Sequence, residues 1–303
     1  SHPILNQRNI PAEVMEAEHP MELVRYGFLP DTGGAGKYRG GLSAESCFIP
    51  HNTDVITQDT LSSGNATPTS TGMMGGYPAS TNAYTFLRNS NVFDCIASRQ
   101  MPEDAGNLEG ESVTLQLRQE NFEQHASDVY AVRWTGGGGF GDPFDRSAAD
   151  IEQDLEDFAI TPEAARMIYG VVLDADGRVD GKKTDAKRAR IRAARVNGGG
   201  QSRIGETVCE ASTGLDIKRD GNGRYWACAK CSADLGPLSV NYKNACIRED
   251  REVSSCNPLI GDPSRFIDDP VVFRQFYCCG CGALIDNEVA VTDDPVLQDI
   301  KPG

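Results

Sequence analysis

Two short stretches specify the fold of the C-terminal part: residues 225–236 read YWACAKCSADLG, and residues 276–286 read FYCCGCGALID. Each carries a C-x-x-C pair, and the pairs are Cys228 with Cys231 and Cys278 with Cys281. One such turn can offer two thiolates to an ion, and two turns complete the tetrahedral sulfur shell that Zn²⁺ prefers. Because four cysteines leave no coordination position for water, the pattern predicts a structural zinc ion in a small zinc-ribbon-like domain with four cysteine ligands.

The other cysteines leave alternatives open. Of ten cysteines only Cys47 and Cys95 lie before residue 208, and this clustering favours a metal site in a reducing compartment over a disulfide-rich domain. A redox-active C-x-x-C is a further alternative, which the recurrence of two hairpin-like copies disfavours. Cys279 lies inside the second pair and could displace a neighbouring ligand. The remaining cysteines could form a second site, but their uneven spacing favours buried thiols: Cys209, Cys246 and Cys256.

Charge and hydropathy restrict the possible partners. The 303 residues leave room for two domains, and the net charge of −15 repels polyanions, so we expect neither nucleic-acid nor membrane binding. No stretch approaches the roughly 18 consecutive apolar residues of a membrane span, and the first residues lack the pattern of a signal peptide. The expected location is cytoplasmic. The chain opens on Ser1 without methionine, which leaves open whether it is a natural subunit or a fragment.

The first half has strand periodicity. Residues 21–28, MELVRYGF, alternate apolar and polar side chains, and the same style recurs in residues 41–49, 83–88 and 112–118 between turns rich in Gly, Pro, Asn and Asp. Residues 60–81 have no periodicity, so this segment is either a solvated loop or a functional excursion. The N-terminal part is therefore predicted to be mainly β to about residue 143.

Helical periodicity follows in residues 144–196. Ile151, Leu155 and Phe158 are predicted to share one helix face, Thr161 to cap a second helix, and Thr184 to cap a basic third helix. The run of Lys and Arg in that third helix favours a solvated face. Residues 197–206, NGGGQSRIGE, have the composition of a linker. The expected fold is α+β, with a first domain at 1–196, the linker at 197–206 and the zinc domain at 207–303.

Glycine-rich loops raise the question of phosphate binding. In residues 31–41, DTGGAGKYRGG, alignment with G-x-x-x-x-G-K-[ST] puts Asp31 where the first glycine is needed and Tyr38 where Ser or Thr is needed. The phosphate-binding pattern therefore fails for this loop. Residues 136–143, GGGGFGDP, could likewise be a tight turn or a loop that binds a ligand. Tight turns that support the fold are the favoured interpretation of both loops. Asp31, Lys37 and Arg39 are expected to form ion pairs locally or across a subunit contact.

No catalytic constellation is visible. The four histidines show no ligand spacing, and no nucleophile motif such as G-x-S-x-G occurs: His2, His19, His51 and His125. The sequence therefore names no catalytic and no cofactor-binding residue.

Three motifs in order resemble the C-terminal part of the hydantoinase B/oxoprolinase family. They are RNIPAEVMEAEHPMELVRYGFLPDTGGAGKYRGGL (8–42), WTGGGGFGDPFDRS (134–147) and ITPEAARMIYGVVLDADGRVD (160–180), and the match covers roughly residues 6–196. The second domain is similar to the zinc-binding γ-type subunit of acetone carboxylase. In that subunit the second cysteine pair usually lies in the sequence CPxCG. Cys279 replaces the proline here, and Cys278 and Cys281 remain the expected ligands.

The resemblance implies a component of a multi-subunit, ATP-dependent, biotin-independent carboxylase of a ketone, of the acetone or acetophenone type. It implies that ATP and Mg²⁺ bind to a hydantoinase A-like partner, that the N-terminal part of the hydantoinase B-like subunit is a further partner, and that a small ketone and bicarbonate are the substrates. The isolated chain is then expected to be inactive. A subunit of an ATP-dependent hydantoinase or oxoprolinase that hydrolyses cyclic amides is the alternative, as is a non-catalytic assembly module.

Overall fold

The computed structural model describes residues 11–102, 104–196, 198 and 200–301. The fold is mostly β with few helices, which confirms the predicted class. The helices are α1 (Ala12–Glu18), α2 (Val92–Ser98), α3 (Ala148–Glu156), α4 (Pro162–Met167) and α5 (Gly181–Arg195). The strands are β1 (Met21–Phe28), β2 (Ala44–Pro50), β3 (Val55–Leu61), β4 (Ala83–Arg88), β5 (Glu111–Val113), β6 (Arg118–His125), β7 (Val129–Arg133), β8 (Glu206–Ser212), β9 (Leu215–Asp220), β10 (Gly223–Cys228), β11 (Asp234–Pro237), β12 (Ile247–Arg251), β13 (Val271–Tyr277) and β14 (Leu284–Val291). Within the described residues, no helix combines the length and apolarity that a membrane crossing requires.

The chain divides into two compact units. The first consists of residues 1–29, 44–63 and 82–134, and its described part forms an antiparallel five-stranded sheet in the order β1-β2-β7-β4-β5 and a separate β3-β6 pair. A buried cluster lies against the sheet: Cys47, Ile49, Leu87, Val92, Ala105, Leu108, Val129 and Ala131. Alternating apolar residues of the strands supply most of this cluster, as expected for a sheet with one buried face.

The sequence located some strands of this unit well and others poorly. Residues 21–28 and 83–88 are strands as predicted. The strand predicted over 112–118 is wrong for residues 114–117, because β5 ends at Val113 and β6 begins at Arg118. Helix α2 was not predicted, and its short length leaves too few turns for a period of 3.6 residues to stand out.

The second unit consists of residues 30–43, 64–81 and 135–303. Its described part contains helices α3 to α5, a β11-β10-β9-β8 sheet and a β12-β13-β14 sheet. One buried cluster takes members from the glycine-rich loops, from the helices and from the second of these sheets: Ala35, Tyr77, Ile151, Ile160, Ala165, Tyr169, Val171, Val253, Cys256, Ile260, Phe273, Tyr277 and Leu284. The predicted boundary at 197–206 falls inside this unit, and Asn197 and Gly199 lie outside the described residues.

Helix starts in this unit follow side-chain caps. The hydroxyls of Ser147 and Thr161 accept hydrogen bonds from backbone N–H groups of α3 and α4, as such caps do. The predicted cap of α5 is wrong: Asp180 accepts from the Lys183 N–H, while Thr184 lies inside the helix. Thr184 is fully buried, and its hydroxyl accepts from the Val172 N–H at 3.0 Å, which local sequence cannot indicate.

The predicted apolar face of α3 needs a correction. Ile151 is fully buried and Leu155 packs against the same core. Phe158 is 79% exposed because the helix ends at Glu156 and Phe158 takes a left-handed φ of 55°. The helical period no longer applies after that point.

The glycine-rich loops pack on one another through their backbones. Gly34 N donates to Gly137 O at 2.8 Å, and Met73 N donates to Gly139 O at 2.9 Å, so residues 31–41, 71–77 and 136–141 form what we call the glycine layer. A Cβ on Gly40 would lie 1.8 Å from Gly137 O. The layer is internal support, as the sequence predicted, and it also buries residues 75–81 of the segment without periodicity.

The charged residues of the first loop form local contacts. Asp31 accepts hydrogen bonds from the N–H and the hydroxyl of Thr161 at 2.9 and 2.7 Å. Arg39 Nε is 3.2 Å from Asp154 Oδ1, within the same unit. The Lys37 ammonium lies 5.4 Å from the ring centroid of Tyr38. The local alternative therefore describes Arg39, whereas Asp31 forms hydrogen bonds with the cap residue Thr161 and Lys37 contacts an aromatic ring.

Candidate metal centre

Two turns of the same design carry the C-x-x-C pairs. The first follows β10, where Cys228 N donates to Ala233 O at 3.0 Å and Ser232 N donates to Cys228 O at 2.9 Å. The second follows β13 and repeats both bonds, from Cys278 N to Ala283 O at 2.8 Å and from Gly282 N to Cys278 O at 2.9 Å. The residue after each second cysteine is left-handed, with φ of 58° at Ser232 and 68° at Gly282. We call these turns the first and second knuckle.

The two knuckles bring the four predicted cysteines together. Their sulfur atoms all lie within 4.8 Å of one another, with 3.8 Å between Cys228 and Cys281 and 3.6 Å between Cys231 and Cys278. A tetrahedron of metal–sulfur bonds of about 2.3 Å has sulfur–sulfur edges of about 3.8 Å. The donor set and its spacing therefore fit one tetrahedral metal ion.

Hydrogen bonds among the thiols distribute the charge unevenly. Bonds from Cys228 and Cys278 lower the pKa of Cys281 below its usual value. Donating to Cys228 and Cys281 raises the pKa of Cys278. The bond with Cys278 lowers the pKa of Cys228, but the bond to Cys281 and burial outweigh it and raise that pKa to about 12. Cys228 and Cys278, whose pKa values are raised, must therefore lose their protons when a metal ion binds, as is usual for thiolate sites.

The other cysteines stay outside this group. The ten cysteines all lie in the described part of the chain and none forms a disulfide, which excludes the disulfide-rich alternative for this structure. Cys279 is not part of the group of four cysteines that could hold a metal ion. Cys256 is buried as predicted, and Cys246 is half-buried. Cys209 is exposed, contrary to expectation, because β8 is the edge strand of its sheet.

The histidines do not build a site. His51 Nδ1 is 3.1 Å from Glu22, and His125 Nε2 is 3.6 Å from Glu123; both histidine side chains are about half exposed. His2 lies outside the described residues. Among the described residues, the four cysteines are the only group of His, Cys, Asp and Glu arranged to hold a metal ion.

A buried lysine lies in the same C-terminal part. The Lys243 side chain is 1% exposed, and its Nζ is 2.7 Å from Asp286, 3.3 Å from Asp299 and 3.8 Å from Glu288. Arg274, also buried, pairs with Glu288 at 3.1 Å. Burial lowers the pKa of Lys243, but the nearby carboxylates outweigh it and raise that pKa above its usual value. The sequence did not indicate this network, because its members are spread from residue 243 to residue 299.

Replacing Lys243 by methionine is expected to lower the free energy of unfolding by about 3–5 kcal/mol, because buried carboxylates lose their cation. Urea denaturation measures the change. Lys183→Met is the matched control, since Lys183 is exposed and pairs with Asp180 at the start of α5, and it should change little. Equal stability of the two variants would contradict the assigned role of Lys243.

The basic run of α5 is partly buried, contrary to the expected solvated face. Arg188 is 6% exposed, and the guanidinium groups of Arg188, Arg192 and Arg195 lie 5.9, 5.7 and 5.0 Å from the ring centroid of Phe144. Arg192 also pairs with Asp142 at 2.6 Å. Positions 188, 192 and 195 share one helix face, and the charge of arginine hides that such a face can be buried.

These features agree with the comparison with known families. Residues 1–143 match the model of the hydantoinase B/oxoprolinase family, and residues 208–303 match the model of the acetone carboxylase gamma subunit family. The chain is homologous to subunits of acetone and acetophenone carboxylases.

Individual relatives match different parts of the chain. The acetone carboxylase alpha subunit of Xanthobacter autotrophicus is 30% identical over 203 residues, 61% of this chain and 26% of that protein. The acetophenone carboxylase delta subunit of Aromatoleum aromaticum is 28% identical over 193 residues, 60% of this chain and 28% of that protein. The acetophenone carboxylase beta subunit of the same organism is 31% identical over 90 residues, 29% of this chain and 68% of that protein. The chain thus spans about a quarter of the larger relatives and most of the small one.

Two further matches bear on fold and activity. A nucleotide-free structure of acetone carboxylase, from work on ATP-dependent acetone carboxylation, has a TM-score of 0.52 and 29% identity over 61% of this chain and 26% of that one. The caprolactamase beta subunit of Pseudomonas jessenii is 27% identical over 179 residues, 58% of this chain and 27% of that protein. Relatives of the first part therefore include subunits of carboxylases and of a caprolactamase.

Proposed function

We propose that this protein is a component of a multi-subunit, ATP-dependent, biotin-independent carboxylase of a ketone of the acetone or acetophenone type. One observation carries the proposal: a single chain combines segments similar to two different subunits of such carboxylases. The gamma-type segment favours carboxylation over amide hydrolysis, because the matched subunits of that type belong to acetone and acetophenone carboxylases.

Cys228, Cys231, Cys278 and Cys281 are the proposed ligands of one structural Zn²⁺. All four are thiol donors at tetrahedral spacing, and a closed sulfur shell leaves no position for substrate or water. When bound, the ion would cross-link the two knuckles and would take no part in the reaction of the substrate. Residues 197–206 are the proposed linker between the segments at 1–196 and 207–303.

The nucleotide chemistry is assigned to other chains. ATP and Mg²⁺ are proposed to bind to a hydantoinase A-like subunit, and the N-terminal part of a hydantoinase B-like subunit is the second proposed partner. In the glycine layer, the backbone N–H groups of Gly34, Met73, Gly137 and Gly139 donate to carbonyl oxygens of the same layer, which supports internal packing over phosphate binding there. The proposed location of the complex is cytoplasmic.

The test is reconstitution with the two partner subunits. The complex is expected to consume acetone or acetophenone only when ATP, Mg²⁺ and bicarbonate are all present, and the isolated chain should be inactive. Incorporation of labelled bicarbonate into an acid product measures the reaction. Hydrolysis of a cyclic amide such as caprolactam or a hydantoin without bicarbonate dependence would replace this proposal by the amide hydrolase alternative.

A further inference from the structure

The first knuckle contacts the hydantoinase B-like segment through a residue between its two ligands. Lys230 lies between Cys228 and Cys231, and its ammonium forms an ion pair with the carboxylate of Asp145. Asp145 also accepts a hydrogen bond from Arg192 at 2.8 Å. The position of Lys230 depends on the turn that the two cysteines close.

The second knuckle abuts helix α5. Gly282 directly follows Cys281, and a Cβ there would lie 2.1 Å from Arg192 O, so the backbones of knuckle and helix are in direct contact. Arg195 Nη1 donates to Gly282 O at 3.1 Å. Leu284 N, just beyond the knuckle, donates to Asp142 Oδ2 at 3.2 Å, and this carboxylate is also the partner of Arg192. Both knuckles therefore contact the segment before residue 197.

The surface around the knuckles has the character of an obligate interface. Phe273 and Tyr77 pack edge to face with ring centroids 5.0 Å apart, inside the buried cluster that both segments share. Three side-chain amides of the C-terminal segment donate to the other segment: Gln275 to Tyr77 OH at 2.7 Å, Asn287 to Gly76 O at 2.8 Å and Asn257 to Asp31 O at 2.8 Å. An apolar centre crossed by a few direct hydrogen bonds is typical of permanent complexes.

We propose that residues 207–301 dock on residues 30–43, 64–81 and 135–196 as a subunit does, that the covalent link is dispensable, and that the metal ion is required. The ion closes the two knuckles, and the knuckles carry the contacts with Asp145 and α5. The occurrence of the two segments on separate subunits in Aromatoleum aromaticum supports docking without a link. The inference rests on the proposed metal site and not on the proposed carboxylation.

The test cuts the link in the folded chain. A protease recognition sequence replaces residues 197–199 of the full-length protein, and the protein is cleaved after purification with its metal bound. The two pieces are expected to co-elute in size-exclusion chromatography at micromolar concentration and to separate when a chelator removes the metal. Separation of the cut pieces while metal is still bound would overturn the docking claim, and persistent co-elution after complete metal loss would overturn the role of the metal.

A point variant separates docking from folding of the knuckles. Lys230→Ala removes the contact with Asp145 and keeps all four ligands, so one metal per chain should remain while the cut pieces dissociate at a roughly tenfold higher concentration. Arg219→Ala is the matched control, because Arg219 forms an exposed ion pair with Glu206, which lies on the same side of the cut. Unchanged association of the Lys230 variant contradicts docking through the first knuckle. Because the readouts are association and metal content, a failure here is distinct from an absent carboxylase activity.

Discussion

Replacing Gly40 by alanine is expected to lower the free energy of unfolding by about 3 kcal/mol or more. A Cβ at this position would lie 1.8 Å from Gly137 O and 2.5 Å from its carbonyl carbon. Both atoms belong to backbone that is hydrogen-bonded on each side of the contact, since Gly34 N donates to Gly137 O and Gly137 N donates to Gly41 O. No side-chain rotation can relieve the overlap, so the glycine layer itself must open.

The neighbouring glycine is the matched control. A Cβ on Gly41 meets no atom within 4 Å and its φ is not in the left-handed region, so Gly41→Ala should stay within about 0.5 kcal/mol of the wild type. Urea denaturation of the metal-loaded protein, followed by tryptophan fluorescence, compares the two variants. If both alanine variants unfold at the same urea concentration, the close packing of the glycine layer is wrong.

Loss of one predicted metal ligand is the second large effect. Cys278→Ser is expected to abolish stoichiometric metal binding and to unfold the C-terminal segment, because Cys278 is fully buried and contacts the other thiols of the site. Metal binding in structural zinc sites contributes roughly 10 kcal/mol or more to folding. Elemental analysis of the metal per chain and thermal unfolding with and without chelator measure the loss.

Two further cysteines serve as controls for that experiment. Cys209→Ser, at an exposed position, should leave metal content and melting temperature unchanged. Cys279→Ser tests the alternative that this thiol replaces a neighbouring ligand, and we expect it to retain one metal per chain. A Cys278 variant with full metal content, or a Cys279 variant without metal, would require a different ligand set.

The candidate site was predictable from the sequence because its design is local. Each C-x-x-C pair lies in one turn, and the turn alone places its two sulfurs on the same side. That the two turns meet was a hypothesis from spacing. One buried cluster holds cysteines of both knuckles together with residues far apart in sequence, such as Trp226 and Ile285, and no local pattern contains these contacts. The docking role of Lys230 had no signal at all, since an isolated lysine in a turn is usually solvated.

Local sequence was sufficient for the features that depend on neighbours along the chain. Alternation located the strand at 21–28, the hydroxyl of Thr161 located the start of α4, and paired cysteines located the knuckles. The packed chain was needed to show that Thr184 is a buried acceptor, that arginines of α5 face inward, and that glycines from three loops form one layer. These outcomes depend on partners that are distant in sequence. A threonine, an arginine or a glycine has the same local sequence pattern whether or not a distant segment packs against it.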